Sequence, residues 1–187
     1  MKKYLVALCA LAMVAAVTAG AIGLPGGGGG KVDTKKLDEL IAQIEEVAAN
    51  FEAAKGKVDN AEATLASIAE AHGIADLMSD PAKVTELKDA VTDEEKATLS
   101  TAVEALTSVP DDLNAAVTKA TELTAKVPDA LSDLVDQIGK NPMAAKDLND
   151  KKAQLETGKT ALETVGTEAP GLVESATNLS NTVAGLM

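Results

Sequence analysis

The amino-acid sequence predicts an all-α protein, an elongated antiparallel helical bundle or coiled coil of three long helices plus one short helix. Two observations predict this fold class. From residue 33 onward, apolar residues return alternately three and four positions apart, the period of helices that pack side by side. No segment alternates between apolar and polar residues with the period of two that is typical of strands. Long helices joined by short breaks bury their apolar faces by folding back on one another.

The first residues are typical of an export signal. Two lysines are followed by an uncharged stretch, residues 4–24, and small residues suited to cleavage surround Ala19 and Ala21. We predict a signal peptide over residues 1–21, and an uncleaved membrane anchor is the alternative. Cys9, the only cysteine, lies inside this segment, so the exported chain would contain neither a disulfide nor a thiolate.

Residues 22–32 are predicted to form a glycine-rich, flexible linker. Consecutive glycines fill positions 26–30, and such a run does not hold regular structure cheaply. The following Lys31 gives a superficial likeness to a phosphate-binding loop, but Pro25 and Val32 stand where that pattern needs Gly and Ser or Thr. We therefore predict a linker in front of a helical bundle domain that covers residues 33–187.

The first long helix is predicted to run from about Asp33 to His72, with Gly73 as its stop. At 1.5 Å per residue, this helix would be roughly 60 Å long. Its heptad seam is unbroken, and we predict that its larger apolar members form the core or an interface. They are Leu37, Leu40, Ile44, Val47, Phe51, Val58, Leu65 and Ile68.

A shorter helix is predicted within residues 74–91, with Asp80 as its N-cap and Pro81 at its first position. Thr92 and Glu95 then match a capping box, in which each side chain binds the backbone N–H of the other residue. We expect this capping box to begin the second long helix.

The second long seam keeps its register across Pro110 and Pro128. Two interpretations are open: one long helix that is kinked twice, or short helices in series that keep one face inward. The unbroken phase favours a kinked, near-continuous rod. The predicted core or interface members are Leu99, Val103, Leu106, Leu113, Val117, Leu131, Leu134 and Ile138, and the same register passes through Pro110, Ala120, Thr124 and Val127.

The third seam follows Asn141 and Pro142 and is weak in its middle, because Lys151 and Gly158 occupy positions where apolar residues are expected. Pro170 with the glycine after it should break or bend this helix, and fraying is expected near Gly158 and at the C-terminus. The predicted core or interface members are Leu148, Leu155, Leu162, Leu172 and Leu179.

Little in the sequence points to chemistry. The chain has a net charge of −12, with 29 acidic residues against 17 basic residues that are all lysine, so nucleic acid is not an expected partner. His72 is the only histidine; we interpret it as a helix-end residue that, when charged, interacts favourably with the negative end of the helix dipole. We predict no catalytic residue, no metal ligand and no cofactor, and therefore no enzyme.

These observations favour an exported, non-enzymatic structural or interaction protein of the cell envelope or exterior: periplasmic, cell-surface or secreted. Its expected partners are another copy of itself, which could complete narrow seams, or another envelope protein. Membrane contact is expected only through an uncleaved N-terminus or a weak amphipathic contact. One alternative is an amphipathic lipid carrier, because the proline-punctuated helices are similar in style alone to exchangeable apolipoproteins. The second alternative is a periplasmic holdase chaperone.

Overall fold

The structure is a computed structural model that describes residues 34–74, residue 77 and residues 81–187. The predicted signal peptide and linker lie outside the described residues, and so does Asp80, the predicted N-cap of the short helix.

The described residues form five α-helices and no strand, which confirms the all-α prediction. Three of these helices are long, with 37, 32 and 42 residues, and two are short. The helices are α1 (Lys35–Ala71), α2 (Pro81–Ala90), α3 (Asp93–Glu104), α4 (Val109–Lys140) and α5 (Ala145–Leu186), with a 3-10 turn at Pro142–Ala144 before α5.

Helices α1 and α5 run parallel to each other. Lys151 of α5 is paired with Asp38 near the beginning of α1. Further along, Lys55 Nζ of α1 lies 3.5 Å from Glu168 Oε2 of α5. Both pairs join residues that are 113 positions apart in the sequence. A constant offset between paired positions means that the two helices ascend together.

Helix α4 runs antiparallel to α1. Lys119 Nζ of α4 lies 3.9 Å from Glu46 Oε2, and Lys57 Nζ lies 3.4 Å from Asp112 Oδ2 of α4. The position on α4 therefore falls as the position on α1 rises. The long helices form an elongated up-down-up bundle, as the sequence predicted.

The second rod is divided where the sequence favoured continuity. A turn at residues 105–108 separates α3 from α4, and Pro110 lies in the first turn of α4. Proline is favoured in the first turn of a helix, because the backbone N–H that it lacks would have no partner within the helix there, and Pro110 takes such a position in α4. The prediction of a near-continuous rod is therefore wrong at Pro110, and the division adds a second short helix. Helix α4 is continuous through Pro128.

Helix α5 has no break at Gly158 or Pro170, where the sequence predicted fraying and a break or bend. Gly158 faces Ile44 of α1, and a Cβ atom at residue 158 would lie 2.8 Å from Ile44 Cγ2. The glycine therefore lets α1 and α5 approach closely, and tertiary packing holds the helix where propensity alone does not. Glycine at position 158 weakens the apolar pattern in the sequence, and the structure shows that the interface between α1 and α5 has no room for a side chain there.

Helix α2 lies against the C-terminal end of α5. Lys88 Nζ donates a hydrogen bond of 3.0 Å to the carbonyl oxygen of Gly185. Leu87 of α2, Leu99 of α3 and Leu186 of α5 are fully buried at this end of the bundle. The two short helices thus extend the apolar core to the end of α5.

Candidate functional site

The predicted seam residues fall into two groups in the structure. Fifteen of them are buried: Leu40, Ile44, Val47, Phe51, Val58, Leu65, Ile68, Leu99, Leu106, Leu113, Leu134, Leu148, Leu155, Leu162 and Leu179. The other six are partly buried and pack against that core: Leu37, Val103, Val117, Leu131, Ile138 and Leu172. No polar or charged residue is buried in the described part of the chain. The seams are therefore used within the chain to build one apolar core.

Sequence reasoning missed part of the buried face of α4. Leu123 is 1% exposed, whereas Thr124, which the predicted register passes through, is half-buried and donates its hydroxyl to the carbonyl of Ala120. In the same way, Ala116 is buried and Val117 is only half-buried. Helix α4 packs against both α1 and α5, so its apolar face is wider than a two-position seam. In the sequence, the position of Leu123 directly before Thr124 indicated that the leucine, and not the threonine, would face the core.

The C-terminal end of α1 is joined to the beginning of α3 by a side-chain pair. His72, the C-cap residue of α1, places Nε2 3.2 Å and 3.1 Å from the two carboxylate oxygens of Glu95. Sequence analysis placed His72 correctly at a helix end but did not find this contact, because its partner belongs to another helix. This pair fixes the end of α1 against α3.

Glu95 also belongs to the predicted capping box, which the structure confirms, although the box begins the short helix α3 and not a long helix as the sequence predicted. The Thr92 backbone N–H donates to Glu95 Oε2 at 2.9 Å, and the Thr92 hydroxyl donates to the same oxygen at 2.8 Å. The backbone hydrogen bond, followed by the Thr92 hydroxyl and His72, lowers the pKa of Glu95 from 4.5 to about 2. Glu95 is thus held as a carboxylate.

A second polar cluster lies where α4 begins. The Ser108 hydroxyl donates to Asp112 Oδ2 at 2.9 Å, and Lys57 Nζ of α1 contacts both side chains, at 3.1 Å and 3.4 Å. The three groups are exposed, so each contact contributes little to stability. These contacts position the helices relative to one another, because they connect the middle of α1 to the turn between α3 and α4.

Two shallow grooves lie between α1 and α4. The first has a volume of about 420 Å³, and its lining includes the Glu46–Lys119 and Lys57–Asp112 pairs. Its apolar lining is Val47, Ala53, Ala54, Ala115 and Ala116. The second, of about 350 Å³, lies nearer the beginning of α1; its apolar lining is Leu37, Leu40, Ala130 and Leu134. The first groove is lined mainly by alanine with charged side chains around it, and the second by leucine and one alanine with charged and amide side chains around them.

The two ends of the rod differ in charge. The end that contains the beginning of α1 and the α4–α5 connection is named the tether end, and the opposite end, with α2, α3 and the C-terminus of α5, is named the far end. Residues 34–44 and 131–155, at the tether end, carry six lysines and six acidic residues. The other described residues carry eight lysines and 20 acidic residues, which is the whole net charge of the chain.

The tether end also exposes apolar side chains. Among the described residues, the large hydrophobic side chains that are exposed are Val135 at 54%, Met143 at 90% and Met187 at 48%. Val135 and Met143 both lie at the tether end, and Met187 lies at the far end. Single exposed side chains of this kind are ordinary on a protein surface.

The site chemistry of the described chain is limited. No group of three or more His, Cys, Asp and Glu side chains in residues 34–74 and 81–187 is arranged to hold a metal ion. None of the helices that the structure describes combines the length and apolar character needed to cross a membrane. Comparison of the chain with protein-family models, with curated proteins and with solved structures finds no match.

Proposed function

We propose that this protein is an exported, non-enzymatic structural or interaction protein of the cell envelope or exterior, in which a rod is held at one end and meets a partner at the other. The observation that supports this most directly is the direction of α1. Its first residue, Lys35, lies at the tether end, and its C-cap, His72, lies roughly 55 Å away at 1.5 Å per residue. A linker attached before α1 would hold the rod by the tether end.

The charge distribution supports the same orientation. The tether end is neutral, whereas the rest of the rod is strongly acidic. An acidic surface is repelled by anionic lipid headgroups, so the far end is favoured to stand away from a membrane surface. Like charge also keeps neighbouring rods apart and soluble.

The burial of the seams bears on the kind of partner. Their larger apolar side chains are packed within the chain, which leaves little apolar surface for a second copy to cover. We therefore favour another envelope protein over a homo-oligomer. Such a partner would meet charged and polar groups, and its own surface would be basic to complement the acidic rod.

The same burial weighs against the two alternatives. A lipid carrier and a holdase both need exposed apolar surface, and the described residues expose three large apolar side chains that are divided between the two ends of the rod. Either activity would require the bundle to open and lose its core contacts.

Export is tested by fractionating cells that produce the full chain and measuring the intact mass of the product in each fraction. We expect the product in the envelope or the medium, with a mass lower by the leader if residues 1–21 are removed. A full-mass product confined to the cytosol would contradict the proposal.

The proposal that the partner binds at the far end is tested by placing a photo-cross-linking residue at exposed Glu94, at that end, in the full chain. The matched control carries the same cross-linker at exposed Met143, at the tether end. We expect one discrete adduct from position 94, identified by mass spectrometry as a protein with a basic surface. Adducts that form from position 143 and not from position 94 would reverse the proposed orientation.

A further inference from the structure

The two grooves between α1 and α4 follow one another along one side of the rod. Their lining residues are drawn from residues 34–57 of α1 and residues 112–137 of α4, and together these lining residues are named the groove face. Among the described helices, α2, α3 and α5 contribute to neither lining. This side of α1 and α4 is therefore open to a further helix.

The groove face is neutral on a protein that is otherwise strongly acidic. It contains four lysines and four acidic residues. The remaining described residues carry ten lysines and 22 acidic residues, so the whole net charge of −12 lies outside the groove face. Like charge keeps two rods apart where their acidic surfaces meet, and the groove face adds no net charge to that repulsion.

Opposite charges lie across the groove from each other in the middle of the rod. Lys119 Nζ of α4 lies 3.9 Å from Glu46 Oε2 of α1, and both side chains are exposed. Toward the far end, Lys57 Nζ lies 3.4 Å from Asp112 Oδ2, and here the lysine belongs to α1. Between these two levels the charge on α1 changes from negative to positive, and the charge on α4 changes in the opposite direction.

The same opposition continues toward the tether end. One heptad before Glu46, Glu39 of α1 lies level with Lys126 of α4, because the two helices are antiparallel. Still nearer that end, Lys36 of α1 and Asp133 of α4 line the same groove. From the tether end onward, α1 therefore presents lysine, glutamate, glutamate and lysine, whereas α4 presents aspartate, lysine, lysine and aspartate.

We propose that two copies of this chain pair side by side, in parallel, through the groove face. A two-fold axis parallel to the rods places α1 of each copy on α4 of the other copy at the same level. Lysine then meets a carboxylate at all four levels, because α1 and α4 carry opposite charges at each of them. An antiparallel pair, with its two-fold axis across the rods, places α1 on α1, where lysine meets lysine and glutamate meets glutamate. The order of charges therefore favours the parallel pair.

Small side chains allow the two copies to approach each other. Ala53 of α1 and Ala115 of α4 are exposed, line the first groove and lie between its two ion pairs. Alanine at a contact lets two helices come close together. The other contacts join exposed charges, each of which stabilises an interface only weakly, so the pair is weak and reversible.

This surface is separate from the far end and from the seams. The buried seams leave a second copy little apolar surface to cover, and the groove face offers it matched charges instead. The far end stays available to another envelope protein. Pairing depends neither on export nor on that partner, so the failure of one proposal leaves the other standing.

Sedimentation equilibrium of the full chain tests the pairing. We expect a wild-type dimer with a Kd of roughly 100 μM. Lys119→Glu should raise the Kd roughly tenfold or more, because the two-fold axis repeats the new repulsion twice. The matched control is Lys159→Glu on α5, which makes the same change of charge outside the groove face and also removes an exposed ion pair, with Glu163 at 3.8 Å. The control should leave the Kd unchanged, and circular dichroism checks that both variants keep their helix content.

A charge swap between two chains separates pairing from folding. Glu46→Lys and Lys119→Glu each give a chain with two like charges at this level, so each chain alone should pair poorly. Mixed in equal amounts, the two variants should form a heterodimer with a Kd within roughly threefold of the wild-type value, since lysine again meets glutamate on both sides. The ion pair within each chain stays broken, so a gain in fold stability cannot account for this rescue.

The direction of pairing is tested with a photo-cross-linking residue in place of exposed Ala53. In the parallel pair, the cross-linked dimer should carry its adduct on residues 112–119 of the second copy, as mapped by mass spectrometry. An adduct on α1 of the second copy would overturn the parallel arrangement. A wild-type protein that stays monomeric at roughly 1 mM would overturn the pairing itself. Equal weakening by Lys159→Glu, or a mixture of the swapped chains that does not pair, would also overturn it.

Discussion

Gly158 of α5 and Ile44 of α1 are in such close apposition that a Cβ atom at residue 158 would lie 2.8 Å from Ile44 Cγ2 and 3.4 Å from Ile44 Cδ1. The Cγ2 atom belongs to a β-branched side chain that is stiff at χ1 and buried, so it cannot swing aside. This contact sets how near the two parallel helices approach each other, and it leads to the first prediction.

Gly158→Ala should lower the free energy of unfolding by about 1 kcal/mol. Overpacking costs about 1–3 kcal/mol, and the better helix propensity of alanine offsets about 0.5–1 kcal/mol of it. Urea unfolding followed by circular dichroism measures the change. Gly166→Ala, in the same helix but with nothing within 4 Å of its added Cβ, is the control and should stabilise the protein by about 0.5–1 kcal/mol. An equal gain from both substitutions would contradict the close approach.

The register of α4 predicts different costs for two leucines of the same helix. Leu123→Ala should cost about 2–5 kcal/mol, because the side chain is almost fully buried and its removal leaves a cavity. Leu131→Ala should cost clearly less, since Leu131 is only partly buried. Urea unfolding of the two variants tests this order. The reverse order would support the register inferred from the sequence alone, in which position 131 belongs to the seam and position 123 does not.

The capping box predicts a position-specific effect of removing a threonine. Thr92→Ala should lower the free energy of unfolding by about 1 kcal/mol, because it leaves the Glu95 backbone N–H at the beginning of α3 without its acceptor. Thr98→Ala, inside α3, should cost nothing comparable, since the Thr98 hydroxyl only donates to the carbonyl of Glu94. Thermal unfolding of the two variants separates these effects. Similar losses from both would mean that the cap does not hold α3.

Glu95 predicts how stability changes in acid. Its pKa is lowered from 4.5 to about 2 in the folded protein, so its contribution to stability is fully present above about pH 4.5 and is lost as the pH falls toward 2. Glu95→Gln should therefore lower the unfolding temperature at neutral pH. The difference from the wild-type protein should shrink between pH 4.5 and pH 2 and then vanish. A difference that is independent of pH over this window would show that the charge of Glu95 does not stabilise the contact between the end of α1 and the beginning of α3.

The periodicity of the sequence was enough to predict the helices, their long antiparallel arrangement and most of the buried leucines. It failed where two neighbouring residues compete for one position, as Leu123 and Thr124 do, because a heptad template assigns one inward position and α4 packs against two helices. It also failed near Pro110, where the apolar periodicity continues although the helix does not. Periodicity indicates which side of a segment is apolar, and it does not indicate whether the backbone hydrogen bonds of the helix are unbroken.

The polar contacts were beyond the reach of pattern reasoning for a different reason. The capping box is local, within four residues, and could be predicted. The pair of His72 and Glu95 joins two helices across 23 positions, and it exists only once the bundle has formed. Gly158 is a related case: its lack of a side chain weakened the helix pattern, and the reason for it lies on Ile44 of another helix.

The parallel arrangement of α1 and α5 has a mechanical consequence. Residue 34 lies at one end of the bundle and residue 187 at the other, so tension between these points runs along the full length of the bundle. Helices α1 and α5 would have to slide past each other and past α4. This sliding strains many layers of apolar contacts at once, together with the Lys151–Asp38 and Lys55–Glu168 pairs. Resistance to such sliding adds up over all layers, whereas two helices pulled apart from a shared end separate one layer at a time.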